Sequence, residues 1–203
     1  MTQIVIVDYG SGNIGSVANM IRRVGHQPLV SQDPSVISSA SHLVLVGVGA
    51  FDSGMGRLSA LKLIDPIRSA VHDGGARLLG VCLGMQLLTE GSDEGDLSGL
   101  GLIRGHCRRL TPTAHYRVPN MGWREVKMTQ DQAVFDGLEE SAKFYFVHSF
   151  AAVCDDQSNV LATLAADSTV NAAIINGNVI GVQFHPEKSH RFGMRLYANF
   201  CDL

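Results

Sequence analysis

Arg77-Leu78-Leu79-Gly80-Val81-Cys82-Leu83-Gly84-Met85-Gln86-Leu87-Leu88-Thr89 runs from a strand-like apolar segment straight into a helix-like one, with a cysteine between two glycines at the join. Arg77 to Val81 predicts a buried strand and Leu83 to Thr89 a helix. The same alternation occurs upstream. Gln3 to Val7 is a short run rich in β-branched residues that stops at Asp8 and a glycine-rich turn, as a buried strand would. Ile14, Val17, Ala18, Ile21 and Val24 then recur at helical spacing, so a helix is expected over Ile14 to Val24, with Gly25 as its stop. A strand over His42 to Val46 and a helix around Leu58 to His72 follow. Strand, glycine-rich turn and helix in repetition predict a parallel sheet covered on both faces, the doubly wound α/β class.

From Leu100 onward the pattern changes to closely spaced β-like segments. These are Leu100 to Leu110, Trp123 to Met128, Phe144 to Val147, Ala151 to Val153, Val160 to Leu164, Ala172 to Ile175 and Val179 to Phe184. They predict an added antiparallel portion, closed by a helix over Arg191 to Phe200. No repeat or linker marks a boundary, and 203 residues can bury one sizeable core, so a single domain over residues 1–203 is expected.

Composition narrows the function. With 45% hydrophobic and 17% charged residues the chain reads as a folded protein rather than a disordered one. A net charge of −3, with 16 basic residues scattered along the chain, leaves no basic stripe to neutralise phosphates, so nucleic acid is not an expected partner. Apolar runs are interrupted before they reach bilayer-spanning length, and the start lacks the basic flank of an export signal. No membrane association and a cytoplasmic location are the expectations. Cys82, Cys107, Cys154 and Cys201 form no CxxC pair, which predicts reduced thiols and calls for neither metal nor cofactor.

Of the four, Cys82 stands in the setting of a nucleophile elbow, with Cys in place of Ser. The start of the following helix presents unpaired N–H groups and a partial positive charge, which favour a thiolate. The N–H of Leu83 is placed to donate to an oxyanion on an attacked carbonyl, and a second donor could come from the turn Gly47-Val48-Gly49. Such turns meet at the carboxyl ends of parallel strands, where open α/β sheets bind ligands. Near the C-terminus, Val179 to Phe184 leads directly into His185-Pro186-Glu187. His185 could act as general base at the same sheet edge, with Glu187 accepting a hydrogen bond from its far ring nitrogen. His148 also follows a short strand and is the strongest rival, but no carboxylate comes close after it.

The elbow Gly80-Val81-Cys82-Leu83-Gly84-Met85-Gln86 and the later Phe184-His185-Pro186-Glu187 resemble the class I glutamine amidotransferase family. Within it, Asp8-Tyr9-Gly10-Ser11-Gly12-Asn13, Gly47-Val48-Gly49-Ala50-Phe51, Met121-Gly122-Trp123 and Glu187-Lys188-Ser189 resemble the glutaminase subunits of imidazole glycerol phosphate synthase, over nearly the whole chain. The resemblance implies a Cys82-His185-Glu187 triad, a glutamyl thioester, and release of glutamate and ammonia from L-glutamine. It places oxyanion donors at the backbone of Val48 and Leu83, and glutamine recognition at Gly49, Gln86, Glu94, Ser149 and Phe150, Glu94 meeting the ammonium. It also implies a heterodimer with a (β/α)8-barrel cyclase subunit that uses the ammonia in histidine biosynthesis, and a partner face that includes Asn13, Met121, Trp123 and Lys188. Pro119, Gly122 and Arg124 around Trp123 suggest a turn. The chain departs from the family pattern at Val46, where proline is usual, at Asn120, where histidine is usual, and at Phe150, which lacks the usual aromatic hydroxyl. The first bears on how stiffly the oxyanion turn is held and the second on the partner face. Alternatives are a free-standing γ-glutamyl hydrolase, the glutaminase subunit of another amidotransferase, or a non-catalytic module that keeps the elbow thiol.

Overall fold

The computed structural model describes residues 2–114 and 116–203. Its larger sheet starts with the strands the sequence places first. β1 (Ile4–Val7) is followed by α1 (Ile14–Arg23), β2 (Leu29–Ser31), α2 (Pro34–Ser38) and β3 (His42–Gly47). Helices α3 (Phe51–Ala60) and α4 (Ile64–His72) lead to β4 (Arg77–Cys82) and α5 (Leu83–Leu87). The second half contributes β5 (Gly91–Ser92), β6 (Gly105–Arg109), β7 (Asn120–Met128), β8 (Lys143–His148), β9 (Phe150–Cys154), β10 (Val160–Leu164), β11 (Asp167–Asn176), β12 (Val179–Val182) and α6 (His190–Asp202).

Nine strands form one sheet in the order β2-β1-β3-β4-β12-β11-β10-β7-β8, and β5-β6-β9 form a small second sheet. The first five of the nine run parallel, and β12-β11-β10-β7-β8 pair antiparallel. The last strand of the chain's β region, β12, is thus inserted beside β4. Alternate side chains of the central strands feed two apolar layers. Ile4, Ile6, Val44, Val46, Leu79 and Val81 pack toward α1 and α6, while Val5, Val7, Leu43, Leu45 and Leu78 pack toward α3, α4 and the small sheet. Period-2 alternation with both faces apolar is what a doubly covered sheet requires.

Three expectations are corrected. The helix around Leu58 to His72 is two helices, because Lys62 takes a left-handed φ of 55° and Pro66 sits in the first turn of α4, a position that suits proline at a helix start but not inside one. The strand expected over Leu100 to Leu110 is confined to β6. The N–H groups of Leu100, Leu102 and Ile103 instead donate to the carbonyls of Leu87 and Leu88, satisfying the open end of α5. Trp123 lies not in a turn but within β7, paired with Tyr145 of β8. β2 and α2, too short for a clear periodic signal, had no counterpart in the sequence reading.

Candidate active site

The elbow is built by close backbone approach. Cys82 has φ 55° and ψ −111°, a conformation an L-residue holds only when its surroundings fix it. Small neighbours make it possible: a Cβ on Gly84 would lie 1.7 Å from the Leu45 carbonyl oxygen, and one on Gly80 would lie 2.7 Å from that of Gly84. Gly47 is equally constrained, since its Cβ would fall 1.9 Å from the Tyr9 hydroxyl.

Parallel register sets Gly47 opposite Cys82, and Val182 opposite Val81. The chain therefore leaves β3, β4 and β12 at one edge of the sheet, and Cys82 and His185 line the same cleft of about 450 Å³. Val48, Gly49, Leu83, Gln86, Glu94, Ser149 and Phe150 line it too, together with Pro119, Val147 and His148. Cys82 is 7% exposed, at the floor.

His185 donates from Nδ1 to Glu187 Oε1 at 2.8 Å, and both side chains are 3% exposed. Its Nε2 is buried without a hydrogen-bond partner among the described residues. Burial works against a charged ring, but the Cys82 sulfur and the Glu187 carboxylate outweigh it and hold the imidazole pKa up to about 9. The backbone is fixed as well: His185 N–H donates to the Tyr145 carbonyl at 2.8 Å, and Ser189 Oγ donates to the His185 carbonyl at 2.6 Å.

His148 has no proton-transfer capacity left. Its Nδ1–H donates to the Phe150 carbonyl at 2.8 Å and its Nε2 accepts from Asn120 at 3.0 Å. Burial pushes its pKa down to about 4, so the ring is neutral and structural. Asn120 is itself fully buried and accepts from Arg124 Nε at 2.9 Å. The departure from histidine at this position therefore falls in an internal hydrogen-bond chain that links His148 to Arg124.

Gln86 is buried rather than solvated. Its Nε2 donates to the Phe150 carbonyl at 3.1 Å and to Gln183 Oε1 at 3.0 Å, which leaves Oε1 as its remaining acceptor. Gln183 Nε2 in turn lies 3.9 Å from the Cys82 sulfur. Glu94 Oε2 accepts from Phe51 N–H at 2.9 Å, anchoring its loop to the start of α3. As the first residue of α5, Leu83 has an N–H with no acceptor inside the helix. The Val48 N–H is engaged elsewhere: it donates to Ser11 Oγ at 3.0 Å, while the same hydroxyl donates to the Val48 carbonyl at 2.8 Å.

Next to the cleft lies an exposed aromatic patch. Met121 is 54% and Trp123 43% exposed. The indole stacks on His190, with ring centres 5.4 Å apart, and Lys188 Nζ sits 5.5 Å above the Tyr145 ring. Asn13 is also exposed and caps α1 by accepting from Ser16 N–H at 3.3 Å. Sequence reasoning missed Ser11 and Gln183. A polar residue at the end of the apolar run Val179 to Phe184 was the available signal for Gln183; nothing local pointed to Ser11. Among the described residues, no group of His, Cys, Asp and Glu is arranged to hold a metal ion, and no helix is long and apolar enough to cross a membrane.

Residues 5–202 match the family described as glutamine amidotransferase class-I. The chain is 46% identical over 197 residues to the imidazole glycerol phosphate synthase subunit HisH 2 of Methanococcus maripaludis, covering 97% of this chain and 98% of that protein. It is 42% identical over 200 residues to the subunit of the same description from Pseudomonas aeruginosa, covering 98% and 99%. Among solved structures, a glutamine amidotransferase superposes with a TM-score of 0.76 at 18% identity, over 98% of this chain and 99% of that one. The PurLQS structure from Thermotoga maritima superposes at 0.73 and 20% identity, over 99% and 98%. At those identities the two structures speak for the fold.

Proposed function

Since the chain belongs to the class I glutamine amidotransferase family, we propose that it is the glutaminase subunit of an imidazole glycerol phosphate synthase, hydrolysing L-glutamine and handing the ammonia to a (β/α)8-barrel cyclase subunit in histidine biosynthesis. The observation that carries this reading is the convergence of Cys82 and His185 on one cleft, with Glu187 2.8 Å behind the imidazole. We read residues 1–203 as one domain that works in the cytoplasm as a heterodimer with the cyclase.

The chemistry follows from the groups present. The Cys82 thiolate attacks the side-chain amide carbon of glutamine, forming the C–S bond and placing negative charge on the carbonyl oxygen. Leu83 N–H stabilises that charge, and Val48 N–H joins it once it leaves Ser11. His185, held protonated at neutral pH, gives its Nε2 proton to the departing nitrogen, the C–N bond breaks, and ammonia leaves a glutamyl thioester. Water then attacks the thioester while His185 takes one of its protons, and the C–S bond breaks to give glutamate, whose acid proton goes to solvent, and to restore the Cys82 thiolate beside protonated His185. Glu187 keeps the ring oriented throughout. Glu94, Gln86 Oε1, Gly49, Ser149 and Phe150 position the substrate, Glu94 pairing with its ammonium.

The engagement of Val48 with Ser11 favours a subunit whose glutaminase is slow alone over a free-standing hydrolase. Asn13, Met121, Trp123 and Lys188 form the face for the cyclase, and the exposed indole suits an interface anchor. Assembled with the cyclase, Cys82→Ala abolishes glutamine-dependent synthesis and leaves synthesis from ammonium salts intact. Loss of both activities in a folded complex would refute the division of labour, and fast glutamine hydrolysis by the isolated chain would refute its dependence on a partner.

A further inference from the structure

Two buried polar atoms, Glu187 Oε2 of the proposed triad and the Tyr197 hydroxyl, lack hydrogen-bond partners among the described residues. An unpaired polar atom inside a protein is destabilising, more so when it is charged, so two in the same neighbourhood call for a common explanation. The first oxygen of Glu187 is satisfied by His185 Nδ1. The second faces the interior, where the carboxylate side chain is only 3% exposed.

Helix α6 brings Tyr197 to it. Gly193 lies so close to the turn after His185 that a Cβ there would fall 1.8 Å from the Pro186 carbonyl oxygen. Tyr197 is four residues on, one helical turn along the same face, and its side chain is fully buried. Burial first, then the Glu187 carboxylate, keeps the phenol protonated far above neutral pH, so it is a donor. A buried carboxylate oxygen in want of a donor and a buried hydroxyl in want of an acceptor thus share the seam between α6 and Pro186–Lys188. Neither is hydrogen-bonded to any of the described residues, and water held between two such groups would give each a partner.

We propose that Tyr197 is a positioning residue of the site, its hydroxyl donating across one water to Glu187 Oε2 and so fixing the carboxylate that orients His185. This rests on the triad reading above for its catalytic consequence, but not for its structural content.

Tyr197→Phe removes the hydroxyl and keeps the ring. In the complex with the cyclase, kcat for glutamine hydrolysis falls by about fivefold while KM is unchanged, because the variant alters orientation of the acid and base and not substrate binding. In the isolated chain with 15N-labelled histidine, the Nδ1–H resonance that His185 shares with Glu187 shifts. If the hydroxyl has no acceptor, deleting an unsatisfied buried donor raises Tm and leaves both kcat and that resonance in place; this result overturns the proposal. A rise in KM with kcat unchanged also overturns it. If the wild-type complex hydrolyses no glutamine, the glutaminase reading fails by itself, and the imidazole resonance still decides the role of Tyr197.

Discussion

At the scale of single residues, the His185 imidazole ties stability to pH in a definite direction. Its pKa of about 9 in the folded chain stands above the ordinary 6.5, so folding favours the protonated ring. The resulting stability is fully present below about pH 6.5, declines as pH rises toward 9 and is gone above it, with a ceiling of roughly 3 kcal/mol. Urea midpoints measured at pH 6, 8 and 9.5 for the wild type and His185→Asn therefore converge as pH rises. A constant gap across that range would contradict the assigned ion pairing. Cys82, His185 and Glu187 could be picked out as candidates because each announces itself locally, by flanking glycines or by a carboxylate two positions on. Ser11 and Gln183 could not. Their contacts with Val48 and Cys82 span 37 and 101 positions, and no short-range pattern encodes such meetings. The buried hydrogen bonds of Gln86 and Asn120 were not legible for the same reason, since their partners lie 64 and 28 positions away.

Among the elements, α6 has the most exacting fit. Its contact with Pro186 leaves no room for a methyl group at Gly193, so Gly193→Ala must separate the helix from the turn that carries Glu187. Overpacking of this kind costs about 1–3 kcal/mol, which lowers Tm by about 3–10 °C in a chain of this size. Glutamine turnover falls in the same variant although Cys82, His185 and Glu187 are untouched; differential scanning calorimetry and a coupled glutamate assay read the two effects. The strands were the most legible elements, since alternation and β-branched runs are dictated by the two apolar layers they must fill. Helix boundaries were less so. The break between α3 and α4 turns on a left-handed Lys62, a residue type without a preference for that conformation. Residues 100–103 are strand-like, but their backbone is claimed by the end of α5.

For the molecule as a whole, the doubly wound half was readable because each unit is local, whereas the insertion of β12 beside β4 depends on the entire second half of the chain returning to the centre. That return is what sets the aromatic patch next to the cleft. Trp123→Ala is expected to weaken binding of the proposed cyclase subunit by about tenfold or more, measured by titration calorimetry, with the far-ultraviolet circular dichroism spectrum retained. Unchanged affinity would move the docking face elsewhere. The bridge between Tyr145 and His185 adds an asymmetry of mounting. The sulfur rides on β4, hemmed in by strands on both sides, but the amide of His185 is hooked to β8, the outermost strand of its sheet. The exposed rim around Tyr145 is therefore joined to the backbone of His185 by a single hydrogen bond, whereas the sulfur is carried by a strand paired on both sides.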